Sequence, residues 1–270
     1  MDATSLKVTI AGATGWAGSA LARGVATASD LDLVAAVSRT HAGSSLGEVL
    51  GVASFDAPVY ATAEDALTAH PSDVFVEYTK PGVAKSNVLT ALRHGAHVVV
   101  GTSGLTDDDY AEIDAAAQAA GKGVLAAGNF ALTVVLLMKF AEAAAKLIPH
   151  WEIIDYARDT KADAPSGTVR ELAGRLGRVA EARQAVSVED TLGEKGTRGA
   201  TMGGAQVHAV RLPGFTLSTE VMFGLPDQRI SIRTDAGASA EPYVDGALIA
   251  IRKVGGFVGL RRGLDSVLEL

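Results

Sequence analysis

Residues 8–18 read V-T-I-A-G-A-T-G-W-A-G, and this stretch decides the fold. A short β-rich run from Lys7 to Ala11 leads into Gly12, Gly15 and Gly18, and an alanine-rich helical stretch from Ser19 to Thr27 follows. A tight turn at a strand end calls for glycine, which also lets a ligand approach the backbone closely. The helix start then offers unpaired N–H groups and the positive end of a dipole, which together suit phosphate. The spacing G-x-x-G-x-x-G is a variant of the dinucleotide-binding fingerprint, and a place between strand and helix is the context that motif requires. The plainer alternative is a glycine turn that only joins strand to helix. On the dinucleotide reading, Gly12, Ala13, Thr14, Gly15, Trp16 and Ala17 bind the cofactor.

Working outward, Leu31 to Val37 reads as a second strand, and Val74 to Tyr78 and His97 to Val100 as further short apolar strands. Val83 to Arg93 is helical in pattern and ends at a His94-Gly95 cap. Strands alternating with helices imply parallel βαβ units. The second half differs. Trp151 to Ala157, Gln206 to Leu212, Thr216 to Phe223 and Gln228 to Thr234 read as strands, the last three without helices between them. The expected fold class is therefore α/β: a Rossmann-type parallel sheet domain plus a smaller α+β domain with a mostly antiparallel sheet. The expected boundaries are 1–128 for the dinucleotide-binding domain, 129–240 for the second domain, and 241–270 for a C-terminal helix that returns to the first. The apolar stretch Val124 to Met138 reads as a buried helix, too short and too interrupted for a membrane span. The polar segment Ser187 to Gly199 is the expected mobile loop.

The strand ends carry the next signals. The second strand closes on Ser38 and Arg39, where an NAD-specific site would have an acid. A hydroxyl and a guanidinium suit a 2′-phosphate, so NADPH is expected ahead of NADH; the alternative is a solvated arginine. Tyr78 and Thr79 in E-Y-T-K-P, and Gly101, Thr102 and Ser103 in G-T-S-G, sit at the carboxyl ends of strands, where open α/β sheets bind ligands. In the second half, Ser166-Gly167-Thr168 opens a helix and Lys161 lies just upstream, a combination suited to a carboxylate. A capped helix start after a loop explains the local pattern equally well.

The net charge of −7 argues against nucleic acid. The 270 residues contain no cysteine, which excludes disulfides and thiolate metal sites and suits a reducing compartment. No basic-then-apolar leader is present at the N-terminus, so a cytoplasmic protein is expected, with no membrane partner. The six histidines form no metal-ligand spacing, and no metal is expected.

K-A-D-A-P-S-G-T, from Lys161 to Thr168, resembles the substrate-binding signature of the 4-hydroxy-tetrahydrodipicolinate reductase (dihydrodipicolinate reductase) family of lysine biosynthesis. The resemblance spans nearly the whole chain. It takes in the glycine loop, E-Y-T-K-P for the family's D-F-T-x-P, G-T-S-G for G-T-T-G, Ala127-Gly128-Asn129-Phe130 for A-P-N-F, and H-A-V-R-L-P-G from His208 to Gly214. It implies NAD(P)H-dependent hydride transfer to a cyclic imine or enamine dicarboxylate, with a small-molecule carboxylate as substrate. It also implies Ala127, Asn129 and Phe130 at the cofactor, a substrate-binding and oligomerising second domain, and a homotetramer. Lys161 takes the substrate-binding or proton-donating role, beside Ser166, Gly167 and Thr168. One departure stands out: the family's two adjacent histidines, proton donor and substrate ligand, are Ala157 and Arg158. Alanine cannot donate a proton, and arginine is a poor acid that can still bind carboxylate. Trp16 also replaces a family arginine, and Gly128 a proline.

Three functions fit. The first is the family's own reaction with Lys161 or water supplying the proton, slower by about 10²- to 10⁴-fold for want of the acid. The second is a paralogue reducing another imine or keto acid, with Arg158 as a new carboxylate clamp and Tyr156, Asp159 or Lys161 as acid. The third is a non-catalytic nucleotide-binding protein, against which the retained carboxylate site speaks.

Overall fold

The structure is a computed structural model that describes residues 5–52 and 55–269. The chain forms two compact units: one runs to Leu132 and resumes at Ala240, and the other is Thr133–Ser239.

The first unit is built on β1 (Leu6–Ala11), β2 (Leu31–Val37), β3 (Val59–Tyr60), β4 (Val74–Glu77), β5 (His97–Val100), β6 (Gly123–Ala126) and β12 (Gly259–Arg262). These strands make one sheet in the order β12-β6-β5-β4-β1-β2-β3, and every pairing is parallel. Parallel strands need crossovers, supplied by α1 (Trp16–Thr27), α2 (Leu46–Leu50), α3 (Ala63–Ala69), α4 (Pro81–Arg93) and α5 (Asp107–Ala120). All four residues of β4 and all four of β6 are buried, as strands covered on both faces must be. The core beneath α3, α4 and α5 centres on Phe75, Leu67, Val88, Val98 and Ile113.

The structure corrects the expected buried helix from Val124 to Met138. Gly123–Ala126 is strand β6, residues 127–131 form a loop, and α6 (Leu132–Ala145) follows. A short apolar run is ambiguous between buried strand and helix, and here pairing with β5 decides it. The C-terminal tail is helical as α8 (Val244–Lys253), and α8 packs against α1. The tail then adds β12, parallel to β6. That strand, G-L-R-R, has too little apolar content to announce itself.

The second unit carries a five-stranded sheet in the order β11-β10-β7-β9-β8. Its strands are β7 (His150–Ala157), β8 (Ala200–Met202), β9 (Ala205–Arg211), β10 (Leu217–Leu225) and β11 (Gln228–Ala236). Three of the pairings are antiparallel and β7–β9 is parallel. Between β7 and β9 the chain passes through α7 (Gly167–Val179), which packs on both strands. Its buried residues Val169, Leu172, Ala173 and Leu176 recur at helical spacing and give it one apolar face. Arg175 in α7 donates to Glu142 of α6 at 2.6 Å. Segment 187–199 is largely exposed, closes on a 3₁₀ turn at Lys195–Arg198, and is tied by Lys195–Glu189 at 2.9 Å and Arg198–Glu152 at 2.6 Å. Among the described residues no helix is long and apolar enough to cross a membrane.

Candidate active site

The expected site residues fall into two groups, one in each unit. In the first, β1 ends at Ala11 and the chain turns at Gly12, whose φ is +82°. A Cβ there would run into the Tyr78 carbonyl, and one on Gly18 would overlap the Gly12 carbonyl. The glycines are therefore required for the turn and α1 to lie so close to β4. Gly15 is the N-cap of α1 and has no side chain to cap it, so the first-turn N–H groups remain for a ligand. This cradle fits a pyrophosphate. Ala13 is buried beneath it, and Thr14 Oγ1 lies 3.1 Å from Ser38 Oγ, joining the loop to the end of β2. Arg39 is exposed at that end. Trp16 is 61% exposed and meets Tyr243, just ahead of α8, edge-on at 5.8 Å. Ala17 completes the first turn.

On the other side of β1, the ends of β4, β5 and β6 hold the remaining expected cofactor residues. Tyr78 packs on Phe130 at 5.9 Å, Gly101 lies against the Tyr78 ring, and burial pushes the Tyr78 phenol above its ordinary pKa. Ala127 and Phe130 are buried, and Asn129 Oδ1 accepts from Ala131 N at 2.8 Å, which shapes the loop after β6. Ser103 is exposed and Thr102 buried. Under them lies a residue the sequence reading passes over. Glu77 is fully buried and accepts from Thr79 N at 2.7 Å, Thr79 Oγ1, Asn87 Nδ2 at 2.8 Å and Thr102 Oγ1 at 3.2 Å. Burial raises its pKa and these hydrogen bonds oppose the rise. The available signal was an acid closing the buried run V-F-V-E.

In the second unit, side chains alternate along β7. Trp151, Ile153, Asp155 and Ala157 are buried, while Glu152, Ile154 and Tyr156 lie on the opposite face. Ala157 is thus enclosed at the strand end, followed by exposed Arg158. Tyr156 donates to Glu220 at 3.0 Å beneath the Arg233 guanidinium, on the face away from Asp155 and Ala157. That geometry removes Tyr156 as the acid for this loop. Lys161 binds Asp163 at 2.6 Å, and the ammonium holds the Asp163 carboxyl below its usual range. Ser166 is buried as the N-cap of α7: its N–H donates to Asp155 Oδ2 at 2.7 Å, and its Oγ accepts from Val169 N at 3.4 Å. Both groups serve the fold, and Gly167 and Thr168 present the helix start.

The loop is pinned from beneath by two more residues to which the sequence reading gives no role. Arg211 Nη2 donates to Asp155 Oδ2 at 2.7 Å and to the Asp163 carbonyl at 2.8 Å, and Nη1 donates to the Asp155 carbonyl at 3.2 Å. Asp155 could have been found from the alternation along β7, which puts an acid on a buried face. The cavity of about 610 Å³ in this unit lies elsewhere, beside His150, Arg183 and Arg229, and contains none of the expected site residues.

Known proteins match along the full length. The family model described as dihydrodipicolinate reductase, N-terminus, matches residues 6–130, and the C-terminus model matches 133–268. A 4-hydroxy-tetrahydrodipicolinate reductase of Halalkalibacterium halodurans is 39% identical over 264 residues, 98% of this chain and 100% of that protein. One of Bacillus pumilus is 35% identical over 269 residues, covering 100% of both. The dipicolinate-bound dihydrodipicolinate reductase of Paenisporosarcina sp. TG-14 superposes with a TM-score of 0.88 at 29% identity, over 98% of this chain and 100% of that one.

Proposed function

The chain belongs to the dihydrodipicolinate reductase family, and from that premise we propose that it is an NAD(P)H-dependent reductase of lysine biosynthesis acting on a C=N or conjugated C=C bond of a cyclic dicarboxylate. The observation that carries this reading is the coexistence of an uncapped glycine cradle in one unit and a pinned K-A-D-A-P-S-G-T loop in the other. A non-catalytic nucleotide sensor would need only the first.

When bound, the reduced nicotinamide supplies hydride, two electrons with one hydrogen nucleus, and one further proton balances the reduction. The residues around Gly12 and the start of α1 take the pyrophosphate, Ser38 and Arg39 the adenosine end with NADPH ahead of NADH, and Thr79 and Thr102 the far end. In the second unit, a substrate carboxylate competes with Asp163 for Lys161, while the Gly167 and Thr168 N–H groups and Arg158 receive the dicarboxylate. The proton comes from Lys161 or water, because Ala157 has none to give, and turnover falls about 10²- to 10⁴-fold below a histidine-bearing relative. The protein works in the cytoplasm as a homotetramer through the open face of the second sheet, where Tyr156, Glu220 and Arg233 lie.

A coupled assay tests this. Dihydrodipicolinate synthase generates the substrate in place, and NADPH or NADH oxidation is followed at about 340 nm, with competition by pyridine-2,6-dicarboxylate. Oxidation that the dicarboxylate inhibits supports the family reaction. Cofactor binding without oxidation moves the assignment to a paralogue reducing another imine or keto acid, with Arg158 as its carboxylate clamp, or to a non-catalytic nucleotide-binding protein.

A further inference from the structure

A threonine hydroxyl has one proton to donate and two lone pairs. Glu77 takes that proton from Thr79, and from Thr102 through its carboxylate or its own carbonyl. All four side-chain and backbone donors gathered on the Glu77 carboxylate are neutral, and two of them, Thr79 N–H and Asn87 Nδ2, cannot become acceptors at that atom. With its proton committed inward, the Thr79 hydroxyl can offer a ligand only lone pairs, and Thr79 is the less buried of the two threonines. The sheet order places β4 and β5 on the opposite side of β1 from Ser38 and Arg39. A dinucleotide whose pyrophosphate lies at Gly12 and whose adenosine lies at β2 extends its nicotinamide half towards β4 and β5.

We propose that Glu77 is a positioning residue that fixes Thr79 as a hydrogen-bond acceptor for the carboxamide N–H of the nicotinamide ring. This rests on the dinucleotide reading given above. A buried acid among neutral donors costs more than an apolar residue would, and polarity at the ligand edge is what it secures. The ribose hydroxyls are the other donors a nicotinamide nucleotide carries, so the test must separate them from the carboxamide.

The probe is the reduced 3-acetylpyridine analogue of NADPH or NADH, which keeps both riboses and replaces the carboxamide NH₂ with a methyl group. Dissociation constants are measured by calorimetry for each cofactor and its analogue. The intact protein is expected to prefer the carboxamide about tenfold, the worth of one neutral hydrogen bond. Glu77→Gln keeps an oxygen for Thr79, with the Asn87 amide turning to meet the new NH₂, and should hold the preference within about threefold. Glu77→Met frees the hydroxyls to donate outward and should bring the preference close to one. Loss of affinity for both cofactors in equal proportion would mean that Glu77 serves the fold only, and would overturn the proposal. So would equal binding of cofactor and analogue by the intact protein, which would give the contact to the ribose. If Glu77→Met does not fold, Thr79→Val must lose the preference and Thr79→Ser must keep it. If the intact protein binds no dinucleotide at millimolar concentration, the functional reading itself fails, an outcome distinct from the others.

Discussion

Replacing Asp155 by alanine should unpin the loop from Lys161 to Thr168 and destabilise the second unit together. Asp155 is fully buried and its Oδ2 takes the Arg211 guanidinium and the Ser166 N–H, both at 2.7 Å. The Arg211 side chain is only 17% exposed, so removal of the carboxylate leaves an uncompensated charge, which costs about 3–5 kcal/mol when a buried pair is broken from one side. Three carbonyls, of Asp155, Val210 and Asp163, still accept from Arg211 and hold the cost near the lower end. With the orphaned Ser166 N–H included, a loss of about 4 kcal/mol is expected. Asp155→Asn keeps an oxygen for both donors and should cost less than half of that. The chain has two tryptophans, Trp16 and Trp151, one in each unit. In a Trp16→Phe background, Trp151 fluorescence follows the second unit alone during urea unfolding. For a urea slope of about 1–3 kcal/mol per molar, the midpoint should fall by about 1.3–4 M, and pyridine-2,6-dicarboxylate should bind at least about tenfold more weakly. An unchanged midpoint with unchanged dicarboxylate affinity would refute the pinning argument.

Three further outcomes are expected. If Arg39 takes a 2′-phosphate as proposed, Arg39→Ala should weaken NADPH by about tenfold or more and NADH little, because an exposed guanidinium suits that group; equal weakening of both would remove Arg39 from cofactor choice. Gly18→Ala puts a methyl group into the Gly12 carbonyl and should reduce dinucleotide affinity about a hundredfold with little effect on dicarboxylate binding, as read by calorimetry with each ligand. Burial lowers the His97 pKa, and its Nδ1 accepts from Gly123 N at 2.9 Å, a bond the imidazolium cannot make. Its pKa is lowered in the folded state, so its contribution is complete above the unfolded value of 6.5 and is lost as pH falls through the folded value. His97→Asn should therefore flatten the decline of urea midpoint below pH 6.5, and parallel pH curves for the two proteins would contradict this.

The fold class was legible because its signals are local. Glycine spacing at Gly12, Gly15 and Gly18, two-residue alternation in β7 and short apolar runs in β4 and β5 each follow from the geometry of a few successive residues. The same stretches supplied the expected site residues, and the family motif from Lys161 to Thr168 supplied the chemistry. Strand against helix at Gly123–Ala126 was not legible, because four apolar residues fit either until a neighbouring strand pairs with them. Edge strand β12 was silent for the related reason that its order comes from β6 and not from its own composition.

What the sequence determined by itself was the parallel nucleotide unit, the second sheet, the glycine cradle and the absence of a histidine at position 157. What only the tertiary structure decided was the company of the buried charges. Asp155 meets Arg211 across 56 positions, Glu77 gathers Thr102 from 25 positions away, and Tyr156 turns to Glu220 on the opposite face from the loop it precedes. A buried charge must find its partner wherever the fold brings one, and loop closure over such distances leaves no periodic trace in the chain.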